Sequence, residues 1–358
     1  MLIDERTKRL CVDMKIEGHT PREIYRRFRE ICPQSAMSLD TFKRKLRLWR
    51  EKMAYDEGLL ESANLEYNFT PNASTVQVNS EGKVVQAWIK QRVNEPDAAE
   101  LISAIAQFPK VGWITPRAGE VTGRLLEIPL FDLHFGISDG EYYKETLRDI
   151  LSLIESKKWE RIEVIVGQDL FHNAALSYPR TEKGTIIDKV DMKKAYTDAR
   201  DFYFSLLKCC IANGNTCVHF SSGNHSETIE WFFVQVLKAA FEGQCEFDDE
   251  IRPRKCIKWH EVFIGYGHCE ELKNPKDIRC AFTIEFPMEF AYAKVREIHC
   301  GHLHKEFKDG DESGIVVRRL STKNRIDGWS EKMGYVGAHK RFMLFEYSYD
   351  RLTEIHYI

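Results

Sequence analysis

The chain has 358 residues, of which 43% are apolar and 30% are charged, a composition that excludes a wholly disordered or fibrous protein and allows one large domain with a small one attached. No apolar stretch approaches the roughly 18 residues of a membrane span, and five of the first ten residues are charged, unlike the apolar core of a secretory signal. We therefore expect a cytoplasmic protein with no membrane partner, whose ten cysteines are free thiols.

The net charge of −3 is unevenly distributed along the chain. Residues 1–53 hold 14 Lys and Arg against 8 Asp and Glu, a difference of +6, and the remaining residues hold 38 against 47, a difference of −9. This asymmetry predicts a basic module for a polyanion, attached to an acidic body.

Residues 1–55 are predicted to form three helices. A loose helical pattern closes at Gly18, and the sequence from Thr20 to Glu23 is a capping box with proline at the first helical turn. The third helix runs to about residue 52, with Phe42, Leu46 and Trp49 on its apolar face. Its other side presents a basic row: Lys43, Arg44, Lys45, Arg47, Arg50 and Lys52.

The three helices resemble a helix-turn-helix domain, in which the third helix would enter the major groove of DNA. In this interpretation Lys43, Arg44, Arg47 and Arg50 contact nucleic-acid phosphates. The alternatives are a three-helix bundle with a solvated basic face and a module that docks to another protein. The oligomeric state is left open, with a dimer among the options.

Residues 56–122 are predicted to be a connector with some structure of its own. The runs 75–78 and 83–89 favour a β-hairpin, and residues 96–108 favour a short helix. A third segment, 123–358, forms the main domain.

From residue 125 onward, strand and helix patterns alternate, which predicts an α/β layered domain. The predicted strands are 125–131, 161–166, 217–220, 261–266, 295–299, 314–320, 341–347 and 353–357, and the predicted helices are 142–156, 191–212 and 227–241. We expect the late strands to form a second sheet.

Residues of metal-ligand type follow five of these strands directly. They are Asp132 and His134, Asp169, Asn224 with His225, His268, and His302 with His304. Because strand ends in α/β folds converge on one edge of a sheet, these side chains could together enclose two cations.

In this order, the motifs DxH, GD, GNH, H and GHxH resemble the signature of calcineurin-like metallophosphoesterases over residues 125–305. The resemblance implies a two-sheet α/β/β/α sandwich with two divalent metal ions. One metal would be held by Asp132, His134 and His304, the other by Asn224, His268 and His302, with Asp169 bridging both. Mixed nitrogen and oxygen ligands favour Mn²⁺, with Fe, Zn²⁺ or Mg²⁺ as alternatives.

The resemblance also implies a mechanism. The metals would activate a hydroxide for in-line attack on the phosphate, and His225 would act as general acid toward the leaving oxygen. Three positions depart from the family pattern: Gln168 between the glycine and aspartate of the second motif, Ser226 where an acidic residue is common, and Cys269 where glycine is usual.

The run from Gly167 to His172, GQDLFH, resembles the double-strand-break repair nucleases within this superfamily. There the histidine lies against the nucleic-acid backbone, so His172 is a candidate substrate contact; the alternative is a histidine that orients a ligand. The layout of a basic module before this domain also resembles phage-encoded phosphoesterases, for which the host cytosol would be the location.

These features predict a two-metal phosphodiesterase, specifically a nuclease acting on DNA. Two other functions remain open. One is a phosphatase or cyclic-nucleotide phosphodiesterase, and the other is a non-enzymatic regulator that binds DNA.

Overall fold

The computed structural model describes residues 3–17, 19–56, 69–78, 84–93, 103, 105, 107–176, 179–310, 314–326, 337 and 339–358. The chain forms two compact units, Met1–Ala98 and Ala99–Ile358. The division predicted from the sequence, at residues 55 and 122, stays a prediction. Every helix in the described ranges is too short or too polar to span a lipid bilayer.

Three helices open the first unit: α1 (Glu5–Ile16), α2 (Pro21–Ile31) and α3 (Leu39–Asp56). The predicted capping box begins α2, since the Thr20 hydroxyl accepts from the Glu23 amide while the Glu23 carboxylate accepts from the Thr20 amide. All three helices contact one another around a small apolar core of Cys11, Val12, Ile24, Phe28, Cys32, Phe42 and Leu46. A helix-turn-helix stays a prediction for this bundle.

The first unit also contains the antiparallel pair β1 (Phe69–Val78) and β2 (Val84–Val93). Both strands extend further than the predicted runs 75–78 and 83–89. The turn between them lies outside the described residues, as does most of the helix predicted at 96–108.

The second unit contains a six-stranded sheet in the order β13-β12-β3-β4-β5-β6. Its strands are β3 (Leu125–Pro129), β4 (Trp159–Gly167), β5 (Gly214–Ser221), β6 (Glu246–Asp248), β12 (Met343–Ser348) and β13 (Arg351–Tyr357). The four strands β3 to β6 are parallel to one another, and β12 pairs antiparallel with β3.

A five-stranded sheet has the order β10-β11-β9-β8-β7. Its strands are β7 (Lys255–Trp259), β8 (Val262–Gly267), β9 (Val295–Cys300), β10 (Phe307–Asp309) and β11 (Val316–Arg319). The central strands β8, β9 and β11 are parallel, and the outer two are antiparallel to their neighbours.

Three apolar cores separate the layers of the second unit. Helices α4 (Lys144–Glu155), α5 (Met192–Asn213) and α6 (Glu227–Ala240) pack on the six-stranded sheet. Helix α7 (Pro275–Glu285), followed by α8 (Pro287–Ala291), packs on the five-stranded sheet. A third core, which includes Ile165, Ile264 and Phe345, lies between the sheets. This layering is compatible with the predicted α/β/β/α sandwich.

The prediction that the late strands form the second sheet was wrong for the last two. Strands β12 and β13 join the first sheet instead, since β12 pairs antiparallel with β3, with Phe345 opposite Glu127. The sequence pattern also missed β6, β7, β10, α7 and α8. The short strands β6 and β10 have three residues each, too few for a periodicity to register.

Candidate metal centre

The predicted ligands lie at the carboxyl ends of adjacent parallel strands. Gly167 pairs with Ser221 at the ends of β4 and β5, and Gly267 pairs with Cys300 at the ends of β8 and β9. The residues that follow these ends therefore meet at one edge of the sandwich. Backbone hydrogen bonds join the first two segments, from the Asp132 amide to the Gln168 carbonyl (2.8 Å) and from the His134 amide to the Asp169 carbonyl (3.0 Å).

A first group of candidate ligands consists of Asp132, His134 and His304, whose ligand atoms lie within 4.8 Å of one another. The Nε2 atoms of His134 and His304 are 3.2 Å apart, and Nε2 of His304 is 3.4 Å from Oδ1 of Asp132. Asp132 is fully buried and His134 is 3% exposed. The sequence had assigned these three residues to one metal.

A second group consists of Asp169, His268 and His302, with Asn224 beside them. Nε2 of His268 lies 3.2 Å from Oδ2 of Asp169, 3.2 Å from Nδ1 of His302 and 2.8 Å from Oδ1 of Asn224. The structure thus brings together the residues that the sequence had assigned to the other metal and the bridging position. Their role as ligands stays a prediction.

The candidate general acid lies next to the first group. The rings of His225 and His134 have centroids 4.7 Å apart, and Nδ1 of His225 is 2.8 Å from the carbonyl oxygen of His172. Because a carbonyl only accepts, that contact places a proton on Nδ1 and leaves Nε2 for proton exchange. The His225 amide donates to Oδ1 of Asp169 at 2.7 Å.

His172 itself is 1% exposed. It forms a group with His134 and His225 whose ring nitrogens lie within 4.8 Å of one another. The backbone carbonyl of His172 orients His225, and the contact of its side chain with a nucleic-acid backbone stays a prediction.

Backbone strain is concentrated at this edge. Of the eight described non-glycine residues with positive φ, seven lie at the site: Asp132, His134, Gln168, Asp169, Cys269, His302 and His304, with φ from 48° to 74°. Each such residue costs about 1–3 kcal/mol and persists only where surrounding contacts impose it. The clustering indicates a functional constraint on these loops.

Two motif glycines allow the segments to approach closely. A Cβ added at Gly223 would lie 2.1 Å from Oδ1 of Asp169, and one at Gly301 would lie 2.8 Å from Oδ2 of Asp132. Any side chain at either position would therefore displace a candidate ligand. The glycines of GNH and GHxH are thus explained by packing around the two groups.

The local electrostatics distinguish the histidines. Burial lowers the pKa of His134 well below its usual value, which favours the neutral, ligating form. Burial also acts against the charged form of His268, but the adjacent Asp169 carboxylate raises its pKa to about 9. Although burial opposes ionisation of Asp169, His268 and His225 hold its pKa well below the usual value.

The donor set fits divalent cations. Two pairs of imidazole nitrogens approach to 3.2 Å with a carboxylate beside each pair, and Nδ1 of both His134 and His268 is buried without a hydrogen-bond partner. A cation in each group would be surrounded by nitrogen and oxygen donors of the kinds that first-row divalent metals accept.

Two further groups of ligand type lie elsewhere in the described residues: Glu163, Cys217 and His219, and Glu346, Glu354 and His356. In the first, Arg161 pairs with Glu163 at 2.7 Å, and in the second Lys157 pairs with Glu346 at 2.6 Å. Because cationic side chains already occupy these carboxylates, we interpret both groups as structural ion networks.

Two of the three departures from the family pattern, Gln168 and Ser226, have side-chain hydrogen-bond partners. Nε2 of Gln168 donates to the Ser221 hydroxyl at 2.9 Å. The Ser226 hydroxyl donates to Oε1 of Glu230 at 2.7 Å, and that oxygen also accepts from the Leu170 amide at 2.6 Å. Glu230 lies one helical turn after Ser226, and its acidic side chain is therefore next to the loop that carries Asp169.

Sequence analysis missed Glu230, which is fully buried, and the segment after β11. The Thr322 hydroxyl donates to the carbonyl of Asp132 at 2.8 Å, and Nδ2 of Asn324 lies 3.5 Å from Nδ1 of His304. The sequence contained a signal for both Glu230 and this segment. Glu230 interrupts the apolar face of its helix, and the segment after β11 follows a strand end as the other ligand segments do.

The predicted nucleic-acid contacts lie in the first unit. Lys43, Arg44 and Arg47 are exposed on α3, while Phe42 and Leu46 are buried; the Arg50 side chain lies outside the described ones. In the second unit Lys183 pairs with Glu270 at 2.6 Å.

No protein-family model and no curated protein matches this chain. Among solved structures, the chain is similar to Vps29 from Chaetomium thermophilum, with 9% sequence identity and a TM-score of 0.31. The match covers 66% of this chain and 96% of the Vps29 chain. Similarity at this level does not decide the family or the function.

Proposed function

We propose that this chain is a two-metal-dependent phosphodiesterase that acts on DNA as a nuclease. The observation that carries the proposal is the convergence of seven ligand-type side chains, from five separate strand ends, into two adjoining groups. Surface clusters of acidic and histidine residues are common, but in this set, drawn from five segments, four of the seven side chains are buried and five have positive φ, which solvation or packing alone does not explain.

Asp132, His134 and His304 would hold one cation, and Asn224, His268 and His302 the other. Asp169 contacts both groups, because its Oδ2 lies 3.2 Å from Nε2 of His268 and its carbonyl accepts from the His134 amide at 3.0 Å. The chemistry supplied by two bound divalent cations would be neutralisation of phosphate oxygens and a lower pKa for water at the site. Mn²⁺ suits the mixed donors, with Fe, Zn²⁺ or Mg²⁺ as alternatives.

His225 would protonate the leaving oxygen. Its Nδ1 is engaged by the His172 carbonyl, which orients the ring and leaves Nε2 to deliver the proton. The backbone amide of His225 also donates to Asp169, so the acid and the bridging carboxylate move as one unit. His172 would act through this orientation of His225.

A DNA substrate is supported by the basic row on α3 and by the GQDLFH run. The side chains of Lys43, Arg44 and Arg47 face solvent and not the core of the bundle. An exposed cationic helix face can neutralise phosphates and release their counterions, which strengthens binding to a polyanion without sequence specificity.

Charge on the main unit suggests the side from which the substrate approaches. A cavity of about 190 Å³ beside His268 is lined by Glu227, Glu270, Glu271 and Arg254, and its three carboxylates outnumber the one arginine, an excess of negative charge that repels a polyanion. On the His304 side, Lys340 donates to Asn324 at 2.9 Å and Arg325 is exposed. We expect the nucleic-acid backbone to lie on this second, basic side.

The test is hydrolysis by metal-stripped protein reloaded with Mn²⁺, offered labelled single- and double-stranded DNA, RNA and a small aryl phosphodiester. We expect cleavage of DNA that is lost after chelation and restored by Mn²⁺. Activity confined to small phosphate esters would favour the phosphatase or cyclic-nucleotide alternative. Tight DNA binding without hydrolysis of any substrate would favour a DNA-binding regulator.

A further inference from the structure

Arg319, at the end of β11, is a buried cation beside the second group of candidate ligands. It is 4% exposed. Its Nη1 donates to the carbonyls of His268 (3.1 Å) and Gly301 (3.2 Å). Its Nη2 donates to the carbonyls of Cys269 (3.0 Å) and Leu272 (2.8 Å).

These four hydrogen bonds use all four N–H bonds on the two terminal nitrogens of the guanidinium. The acceptors belong to two separate segments, since residues 268–272 follow β8 and Gly301 follows β9. One rigid, planar fork therefore joins the backbone of His268 to the residue that precedes His302.

Charge attraction does not account for Arg319 at this place. A positive charge beside a group that binds cations opposes binding by Coulomb repulsion, so any benefit to the group must come from geometry. Such a benefit is needed here, because Cys269 and His302 have positive φ values of 56° and 74°. Without fixed carbonyls, both segments could relax away from these conformations.

We propose that Arg319 is a positioning residue, which holds the segments carrying His268 and His302 at the spacing of the second ligand group. This inference rests on the metal-binding part of the proposed function. Lysine could not replace Arg319 fully, because its three donors share one nitrogen and cannot span four carbonyls in two segments.

The neighbouring Arg318 offers a matched control. It lies on the same strand and is 8% exposed, but Nε and Nη2 donate to Oε2 and Oε1 of Glu297 at 2.8 and 3.3 Å. Successive side chains point to opposite faces of a strand. Its hydrogen bonds are therefore made away from the ligand segments.

The experiment compares wild type, Arg319→Met, Arg319→Lys and Arg318→Met, each stripped of metal and titrated with Mn²⁺ by calorimetry. For Arg319→Met we expect one of the two Mn²⁺ affinities, that of the second group, to fall by about 10- to 100-fold, the usual effect of removing a partner that orients ligands. The Mn²⁺ affinity of the first group should stay within about threefold of the wild-type value. Arg319→Lys should lie between Arg319→Met and wild type, and Arg318→Met should keep both affinities.

Thermal melting with and without Mn²⁺ provides a second readout. Both Met variants should melt earlier than wild type without metal, but only Arg319→Met should show a smaller rise on adding Mn²⁺. If Arg319→Met does not fold by circular dichroism, Arg319→Lys carries the test through the same two measurements.

The outcomes separate the two proposals. A wild type with two Mn²⁺ sites and an Arg319→Met variant with unchanged affinities overturns the role of Arg319 alone. Equal weakening in Arg318→Met also overturns it, since the effect would then be general to the strand. A wild type that binds no second Mn²⁺ contradicts the proposed function, and the inference about Arg319 with it.

Discussion

The metal centre and the basic face of α3 are both built from residues that sequence motifs single out, but they are held in different ways. At the metal centre, His134, Asp169 and His268 are 1–3% exposed and contact groups from other segments at about 3 Å. On α3, Lys43 and Arg44 face solvent, and Lys43 pairs with Asp40 one turn away on the same helix.

The difference indicates how function is specified in each region. In a buried group each donor has a fixed place, so one substitution removes an interaction that no other residue can supply. On a solvated helix face the charges act together and are screened by salt, so their contributions are small and nearly additive. Substitutions at the metal centre should therefore have large, specific effects, and those on α3 small, cumulative ones.

The largest effect should come from Asp169→Ala. Loss of the carboxylate shared between the groups should abolish Mn²⁺-dependent hydrolysis and reduce the metal content from two ions to one or none. Glu346→Gln is the control. It also removes a buried carboxylate, since Glu346 is 1% exposed, but this residue lies on β12, outside the candidate metal centre. A variant of Asp169 that keeps both metals and its activity would remove the basis for the bridging assignment.

His225→Ala should have the next largest effect. The variant should keep both metals and lose about 10²–10⁴ in rate, the usual contribution of acid–base catalysis. The loss should be smaller for an aryl phosphodiester, whose leaving group needs little protonation. Rate measurements on alkyl and aryl esters check this, and equal losses on both would show that His225 has another role.

The charge reversals Arg44→Glu and Arg47→Glu, made together, should weaken duplex DNA binding by roughly tenfold or more. The slope of log affinity against log salt should become shallower by about two, one for each arginine that no longer neutralises a phosphate. Turnover of the small phosphodiester should hardly change. The matched control is Arg148→Glu with Arg351→Glu, two exposed residues of the other unit. Equal weakening in that control would indicate a net-charge effect instead of a binding face.

The smallest effect should come from Lys43→Gln. It should change the salt slope by about one and reduce DNA affinity only a few-fold. Its exposed pair with Asp40 adds little to stability, so the melting temperature should stay within about one degree. A loss as large as that of the double reversal would mean that α3 reads DNA through specific positions.

The sequence predicted which strand-end residues lie together, because the information that specifies them is local. Each motif, such as Gly301 to His304, directly follows a strand, and the ends of parallel strands share an edge. Many helix and strand positions were predicted correctly because periodicity is also local. Helix α6, for example, was predicted at 227–241 and spans Glu227–Ala240.

The features that could not be predicted from the sequence depend on contacts between residues that are distant in the chain. The pairing of Phe345 with Glu127 joins positions more than 200 residues apart, and nothing in the periodicity of β12 specifies its sheet. The role of Arg319 also depends on distant residues. In the sequence it is one basic residue of a predicted strand, and only the structure shows that it donates to four backbone carbonyls. DNA binding by the basic face of α3 stays a prediction, because exposed side chains do not form a fixed arrangement that matches one type of partner.

The central claim is that the strand-end residues form two metal sites, and metal stoichiometry tests it most directly. Protein stripped by chelation, loaded with Mn²⁺ and freed of excess metal should contain two Mn²⁺ per chain by elemental analysis. The two ions should also show magnetic coupling by paramagnetic resonance, because a shared carboxylate holds such ions about 3.5–4 Å apart. One metal or none per chain in carefully loaded wild type would contradict the account.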